Sequence, residues 1–543
     1  MSRFAVLAAG LAALAGAPHA AAQPADPEET RVRTTAVLQA RPVRDARSIV
    51  AGLRRAVADG RLTRAEAAHY RLILARARAV LTLLPGVRYT TLARVLALVR
   101  QQARAYNRPR ALTLFRMLER NTTYLSTRGV PPQRTDVYGG DGALYRSWGS
   151  YGLQFHPLAN AGALSKHLAA HRDRRAAALA NALVARLVPR RRGAVLEYLF
   201  PYAGGTPPWT SGMAQAALAH GLALAARRFD DPSLRQAARR AYRAIPGRLV
   251  FRVSAGPWIR LYDFNHLVVL NAQLQAALSI ARYAEATRDA SAAALAVRLR
   301  RAARALFHRF DTGYWSRYAL GSEAPLRYHL YHIYLLDRLW IRTRDPFWRD
   351  ARDRFDRYRR EAPVLRRGRA VPTLYPWPAD GFRDEARIAV WVSKVSTVTV
   401  RVARDRRTFT APAGGWYSFA WRPGRRPPAI HRPVASAVDL AGNRAQVQLP
   451  PIAIAVDRDP PSVTASVVRR RLTWRAVDAG TPWLRMTVRL ERAGRRRSLS
   501  LGRQPLAGSL TLPVPRGRWH AVLVASDSSG NRTRVGLGVV PAL

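Results

Sequence analysis

The stretch Tyr262-Asp263-Phe264-Asn265-His266-Leu267-Val268-Val269-Leu270-Asn271-Ala272-Gln273-Leu274-Gln275-Ala276-Ala277-Leu278 joins two kinds of sequence. Its first half is aromatic and polar. Its second half spaces Leu270, Leu274 and Leu278 four apart, which marks one face of an amphipathic helix. The same alternation of a Pro/Gly/aromatic connector with an Ala/Leu/Arg run continues to Arg360, and Leu179, Leu183, Val184 and Leu187 mark another such helix. Many helices of this length, with polar and aromatic residues held in the loops, fit an (α/α) toroid of helical hairpins better than a four-helix bundle. Functional groups are then expected at one mouth of the barrel.

Working toward the N-terminus, a glycine- and aromatic-rich loop is expected from Tyr138 to Gly152. Ser48 to about Glu119 reads as helical. Thr63-Arg64-Ala65-Glu66 forms a capping box, Pro85-Gly86 a break, and Leu92, Val95, Leu96 and Val99 one apolar face. Met1-Ser2-Arg3, an apolar run from Phe4 to Ala17, and Ala20-Ala21-Ala22 before Gln23 read as a signal peptide over residues 1–22, cleaved near Ala22. No later stretch reaches the roughly 20 uncharged apolar residues of a transmembrane helix. The mature protein, opening with a helical region over 23–125, is expected to be secreted or held in the cell envelope.

Past Arg369 the period changes from 3.6 to 2, as in Ala389-Val390-Trp391-Val392 and Val398-Thr399-Val400-Arg401-Val402. Ala437-Val438-Asp439-Leu440-Ala441-Gly442-Asn443-Arg444 recurs as Ala525-Ser526-Asp527-Ser528-Ser529-Gly530-Asn531-Arg532, one small β-sandwich later. Two immunoglobulin-like sandwiches are expected over 366–456 and 457–543, with Asp457-Arg458-Asp459-Pro460-Pro461 as a stiff linker. Each Asp-x-x-Gly-Asn reads as a hairpin turn in preference to a calcium loop. Such modules position or attach rather than catalyse, and attachment to the cell envelope is one use open to them.

The chain of 543 residues carries 90 Lys+Arg against 34 Asp+Glu, a net charge of +56, and no cysteine. A disulfide scaffold is excluded, and a 48% hydrophobic content argues against wholesale disorder. Lysine occurs only at Lys166 and Lys394. Arginine is scattered through every segment without a stripe or a reader motif, so no nucleic-acid partner is expected. Both G+C-rich coding and an acidic polysaccharide partner fit the arginine excess. Phosphate-loop, nucleophile-elbow and His-Glu-x-x-His motifs are absent.

Four clusters interrupt the Ala/Leu/Arg background: Gln154 to Asn160, Pro208 to Gln215, Tyr262 to Asn271, and Tyr314 to His332. Together they resemble the C-terminal helical domain of the D-glucuronyl C5-epimerases. Trp209-Thr210-Ser211-Gly212-Met213-Ala214-Gln215, Val269-Leu270-Asn271-Ala272, Tyr318-Ala319-Leu320 and Tyr328-His329-Leu330-Tyr331-His332-Ile333-Tyr334-Leu335-Leu336 follow that family's order and approximate spacing. The resemblance places the helical catalytic domain at 126–365. Two departures accompany it. Ala319 and Gly321 stand where the family has Asp and Arg, and the β-rich region that precedes the domain in animal members has no counterpart.

The resemblance implies conversion of D-glucuronate to L-iduronate within a heparan- or heparosan-like acidic polysaccharide. The C5 proton is removed α to a carboxylate and a proton returns to the other face, so two acid/base groups must flank the sugar. By resemblance these are Tyr262, Tyr318 and Tyr328, with Arg260 and Arg327 as partners for the substrate carboxylate or the tyrosines. A phenol becomes a base only where positive charge favours its phenolate. Gln154, His156, Asn160, Trp209, Ser211, Gln215, Asn271, His329 and His332 are the further substrate-binding candidates. Each also admits a plain structural role: capping for Gln154, His156 and Asn160, a barrel plug for Trp209, and interior packing for Tyr328 and His332. His329 and His332 lack a carboxylate partner, so no metal ligand is assigned. No cofactor is required, and a structural metal is left without ligands. A polysaccharide lyase, which begins with the same proton abstraction, and a non-catalytic glycan-binding envelope protein are the alternatives.

Overall fold

The computed structural model describes residues 42–541, so the expected signal peptide lies outside the described residues. The chain divides into two units, Met1–Arg359 and Arg360–Leu543.

The first unit is helical: α1 Pro42–Ala58, α2 Arg64–Leu83, α3 Gly86–Gln101, α4 Arg108–Thr127, α5 Pro157–Ala169, α6 Asp173–Val184, α7 Gly212–Phe229, α8 Pro232–Arg243, α9 Leu270–Thr287, α10 Ala290–Leu306, α11 Leu326–Thr343 and α12 Pro346–Arg360. Both halves of the Thr63–Glu66 capping box are formed. Leu92, Val95, Leu96 and Val99 are buried on α3.

The helical hairpins turn by one repeated device. α7, α9 and α11 each end in a left-handed residue, Asp230, Arg288 and Arg344. An aspartate follows each time, and its carboxylate accepts N–H groups from the next helix: Asp231 from Leu234, Asp289 from Ala292, Asp345 from Phe347. The left-handed residue reverses the chain and the aspartate starts the next helix.

Helices α5, α7, α9 and α11 lie side by side in that order, and α6, α8 and α10 each pack on the helix before them. Alanine makes this close approach cheap; Ala214, Ala216, Ala219, Ala223, Ala272, Ala276 and Ala277 are all buried there. One apolar core runs from Ala46 on α1 to Ala324 before α11, so the N-terminal helices share the core of the hairpins. A buried ion pair also joins them: Arg110 on α4 holds Glu197 through two bonds of 2.8 Å.

The expected loop at Tyr138–Gly152 is partly structured. Asp136–Tyr138, Leu144–Ser147 and Leu153–Phe155 form a three-stranded antiparallel sheet. The strands are too short for a period-2 signal to be legible.

The second unit is all-β. In its first sandwich Leu365–Arg367, Ala386–Val392 and Gly415–Trp421 form one sheet. The other holds Asp405–Ala411, Ser396–Val402, Val434–Asp439 and Arg444–Gln448. Alternate residues of both sheets, Ile388 and Val390 with Val398, Val400 and Ala437, share one core. The second sandwich repeats the plan with Ser462–Val468, Arg471–Val477 and Ala507–Thr511 beside Arg495–Pro505, Trp483–Arg492, Arg518–Ser526 and Arg532–Pro541. Its core is separate. Among the described residues no helix is long and apolar enough to cross a membrane.

Candidate functional site

The loops entering α7, α9 and α11 meet at one end of the hairpin array. Gly212 N–H donates to the Arg260 carbonyl at 2.9 Å, and Leu320 N–H to the Val268 carbonyl at 3.3 Å. A Cβ on Gly212 would sit 2.6 Å from the Arg260 oxygen, which is why the first residue of α7 is glycine. The positive ends of these neighbouring helices therefore gather where the sequence put its aromatic and polar clusters.

Tyr318 and Tyr328 are neighbours there, with ring centroids 4.6 Å apart. The Arg327 guanidinium lies 4.5 Å from the centroid of the Tyr328 ring. Tyr262 stands in a separate aromatic group. It packs edge-on to Trp209 at 5.3 Å and Tyr202 at 5.6 Å, and stacks on Phe264 at 5.4 Å. Tyr262 and Tyr318 are nearly buried, at 7% and 6% exposure, while Tyr328 is half-buried.

Several candidates turn out to hold the scaffold. The fourth residue of each of α5, α7 and α11 is Asn160, Gln215 and His329, all buried. Asn160 exchanges two 2.8 Å bonds with the backbone of Leu144. Gln215 donates to the carbonyls of Ala194 at 2.8 Å and Ala241 at 3.0 Å, and accepts from Leu196 N–H at 3.3 Å. Gln273, fourth in α9, does the same for Pro257, Leu299 and Ile259. His329 bonds the Phe355 carbonyl and Ser316 Oγ, both at 2.8 Å, and stacks on Trp315. These side chains clasp each helix to its neighbours, the structural role that the sequence also admits for Asn160. Trp209 is likewise a plug: it stacks on Tyr198 at 4.0 Å and donates to the Phe200 carbonyl at 2.7 Å. Ser211 caps α7 through Ala214 N–H. Arg260 is folded onto its own loop, bonding the Asn265 carbonyl at 3.3 Å and His266 Nε2 at 2.7 Å.

Hydrogen-bond logic fixes the histidine pair. The Phe355 carbonyl only accepts, so His329 carries its proton on Nε2 and takes the Ser316 hydroxyl proton on Nδ1. Ser316 Oγ then accepts from His332 Nδ1 at 2.9 Å. His332 Nε2 is left as a buried acceptor with no protein partner, as are Gln154 Oε1 and Asn271 Oδ1. Burial, and then the neighbouring His329, hold His332 well below the usual imidazole range. His156 caps α5 by accepting Ala159 N–H at 3.1 Å, and burial, followed by the charge of Arg146, keeps it neutral as well.

One feature was not legible in the sequence. Arg190, Arg191, Arg192, Arg243 and Arg248 line a cleft of about 420 Å³ that also touches Thr210, two residues before α7. Arg190 is paired with Glu197 and Arg248 with Asp263, which leaves the cleft with a net positive charge.

Residues 195–357 match the family model of the D-glucuronyl C5-epimerase C-terminus. No curated protein matches the chain. Among solved structures, the fibronectin(III)-like modules of Clostridium thermocellum CbhA share 15% identity over 33% of this chain and 93% of that one, with a TM-score of 0.17. The endo-β-1,4-glucanase CMCax from Acetobacter xylinum shares 12% over 36% and 68%, with a TM-score of 0.28. The FN1–FN3 domains of chicken CNTN1 share 13% over 33% and 66%, with a TM-score of 0.16. At such scores the likeness carries no functional argument.

Proposed function

We propose that this protein is a uronate C5-epimerase acting on an acidic polysaccharide outside the cytoplasm. The reading rests on the family match over 195–357 together with one arrangement: Tyr328, paired with Tyr318 and faced by Arg327, on the loop-and-helix segment next to the one that carries Tyr262. It takes 126–365 as the catalytic domain and the two sandwiches as positioning modules.

One phenolate removes the C5 proton, and the electron pair spreads onto the carboxylate as an enediolate. A phenol on the other side delivers a proton to the opposite face, and the two tyrosines exchange protons with water to reset. Tyr262 is assigned to one face and the Tyr318–Tyr328 pair to the other. Arg327 supplies positive charge for the phenolate and the enediolate. Converging helix N-termini and the five-arginine cleft suit the polyanion on either side of the reacting sugar. Asn271 Oδ1 is buried and has no protein hydrogen-bond partner, and the reading assigns it to a sugar hydroxyl.

Incubation with glucuronate-containing polysaccharides, followed by NMR, tests the reading. Iduronate signals support it. Unsaturated chain ends would instead assign a lyase, and binding without turnover a glycan-binding protein.

A further inference from the structure

The two sandwiches close the same turn with opposite chemistry around it. In the first, Asp439 Oδ1 accepts the N–H groups of Ala441 and Asn443, both at 2.9 Å, and Asn443 Nδ2 donates to Oδ2 at 2.9 Å. The remaining charge is met by Lys394, whose Nζ lies 2.7 Å from Asp439 Oδ2 with both side chains buried. One of only two lysines in the chain stands there.

In the second sandwich Asp527 accepts Asn531 N–H and Nδ2, both at 2.8 Å, in the matching turn. No lysine is present. Two more carboxylates are, and Asp457, Asp478 and Asp527 each bring an oxygen within 4.8 Å of the others. Asp457 is 5% exposed, and its Oδ2 has no hydrogen-bond partner. Asp478 Oδ1 accepts only the N–H groups of Gly480 and Thr481, at 2.8 and 3.0 Å. A Cβ at residue 480 would lie 2.4 Å from Asp457 Oδ2, so Gly480 keeps the space beside that oxygen open. In a chain with 90 Lys+Arg, none of the three forms an ion pair among the described residues. Burial first, then the charge of the neighbouring aspartates, pushes Asp457 and Asp478 above the usual carboxylate range.

We propose that Asp457, Asp478 and Asp527 bind a calcium ion, which serves the second sandwich as Lys394 serves the first. The donors are hard oxygens, which suit calcium or magnesium rather than zinc. Calcium accepts an irregular set of carboxylate oxygens, whereas magnesium demands near-ideal octahedral geometry and sheds its water reluctantly, so three aspartates drawn from a linker and two loops suit calcium. Asp457 belongs to the linker before Ser462–Val468, while Asp478 and Asp527 belong to loops of the sandwich. The ion therefore ties the linker down where Asn531 Nδ2 already reaches the carbonyls of Asp457 at 3.2 Å and Asp459 at 3.3 Å. The Asp-x-x-Gly-Asn turn has the same asparagine-to-aspartate hydrogen bonds in both sandwiches; Lys394 meets its charge in the first, and in the second two distant aspartates make a site.

Equilibrium dialysis of the full chain against radioactive calcium, after chelator treatment, tests this. One saturable site is expected, with Kd of about 10⁻⁵ to 10⁻³ M. Asp457→Asn and Asp478→Asn should each weaken it at least about tenfold. No saturable binding up to about 10 mM calcium, or unchanged affinity in both variants, would overturn the proposal. If the variants do not fold, thermal unfolding of the unaltered chain decides. A midpoint raised by calcium but not by sodium at equal ionic strength supports the site, and an unchanged midpoint refutes it.

Discussion

Gln215 and Gln273 occupy one place in consecutive hairpins: each, fourth in its helix, binds two backbone groups at the end of the strand pair before it, Val188–Arg190 with Gly193–Val195 or Val250–Val253 with Gly256–Ile259, and a carbonyl of the helix after it. The shared geometry makes both structural. Gln215→Leu or Gln273→Leu leaves buried backbone groups unsatisfied and should cost about 1–3 kcal/mol each by chemical denaturation. KM for the glycan, measured on the folded fraction, should not change.

Glu197 joins the N-terminal helices to the hairpins. Burial opposes its charge, but hydrogen bonds and charge from Arg110, then Arg190, outweigh burial and hold its carboxyl below the usual range. Arg110→Met removes two of the hydrogen bonds to Glu197 and leaves Arg190 as its remaining ion-pair partner; it should destabilise by about 1–3 kcal/mol, and equilibrium unfolding in urea measures it.

Burial, reinforced by the charges of Arg282 and Arg342, lowers His220 on α7 from 6.5 to about 4. The unfolded chain therefore binds a proton that the folded one refuses between those values. Stability present above pH 6.5 falls as pH drops toward about 4, by about 3 kcal/mol from this group. His220→Gln should flatten that part of the stability profile.

The arginine cleft makes an electrostatic forecast. Among the described residues Arg191 and Arg192 form no ion pair, unlike Arg190 and Arg248 beside them. Changing both to Ala should raise KM for a uronate polysaccharide about five- to tenfold, leave kcat nearly unchanged, and reduce the salt dependence of binding.

Much of the fold was legible because its signals are local. The Thr63 capping box, the stripe Leu270-Leu274-Leu278 and the switch to period 2 near Ala389 are each set by neighbours in sequence. The corners Asp230-Asp231, Arg288-Asp289 and Arg344-Asp345 could also have been read, since an aspartate after a helix end is a capping signal. The site was less legible. Gln215 and His329 have side chains that bind sugars or backbones equally well, and their backbone bonds appear only once the helices are packed. Arg190 and Arg243 are lost in an arginine-rich sequence until folding brings them to one cleft. Asp457 and Asp478 read as linker and turn residues until Asp527 lies beside them.

The central claim is proton transfer at C5 by tyrosines on two sides of the sugar. Solvent deuterium incorporation at C5, compared among the unaltered protein, Tyr262→Phe and Tyr328→Phe, tests it most directly. Exchange by the unaltered protein, falling about 10²- to 10⁴-fold in each folded variant, is the expected result. No deuterium at C5 on any glucuronate-containing glycan, or full exchange in both variants, would contradict it.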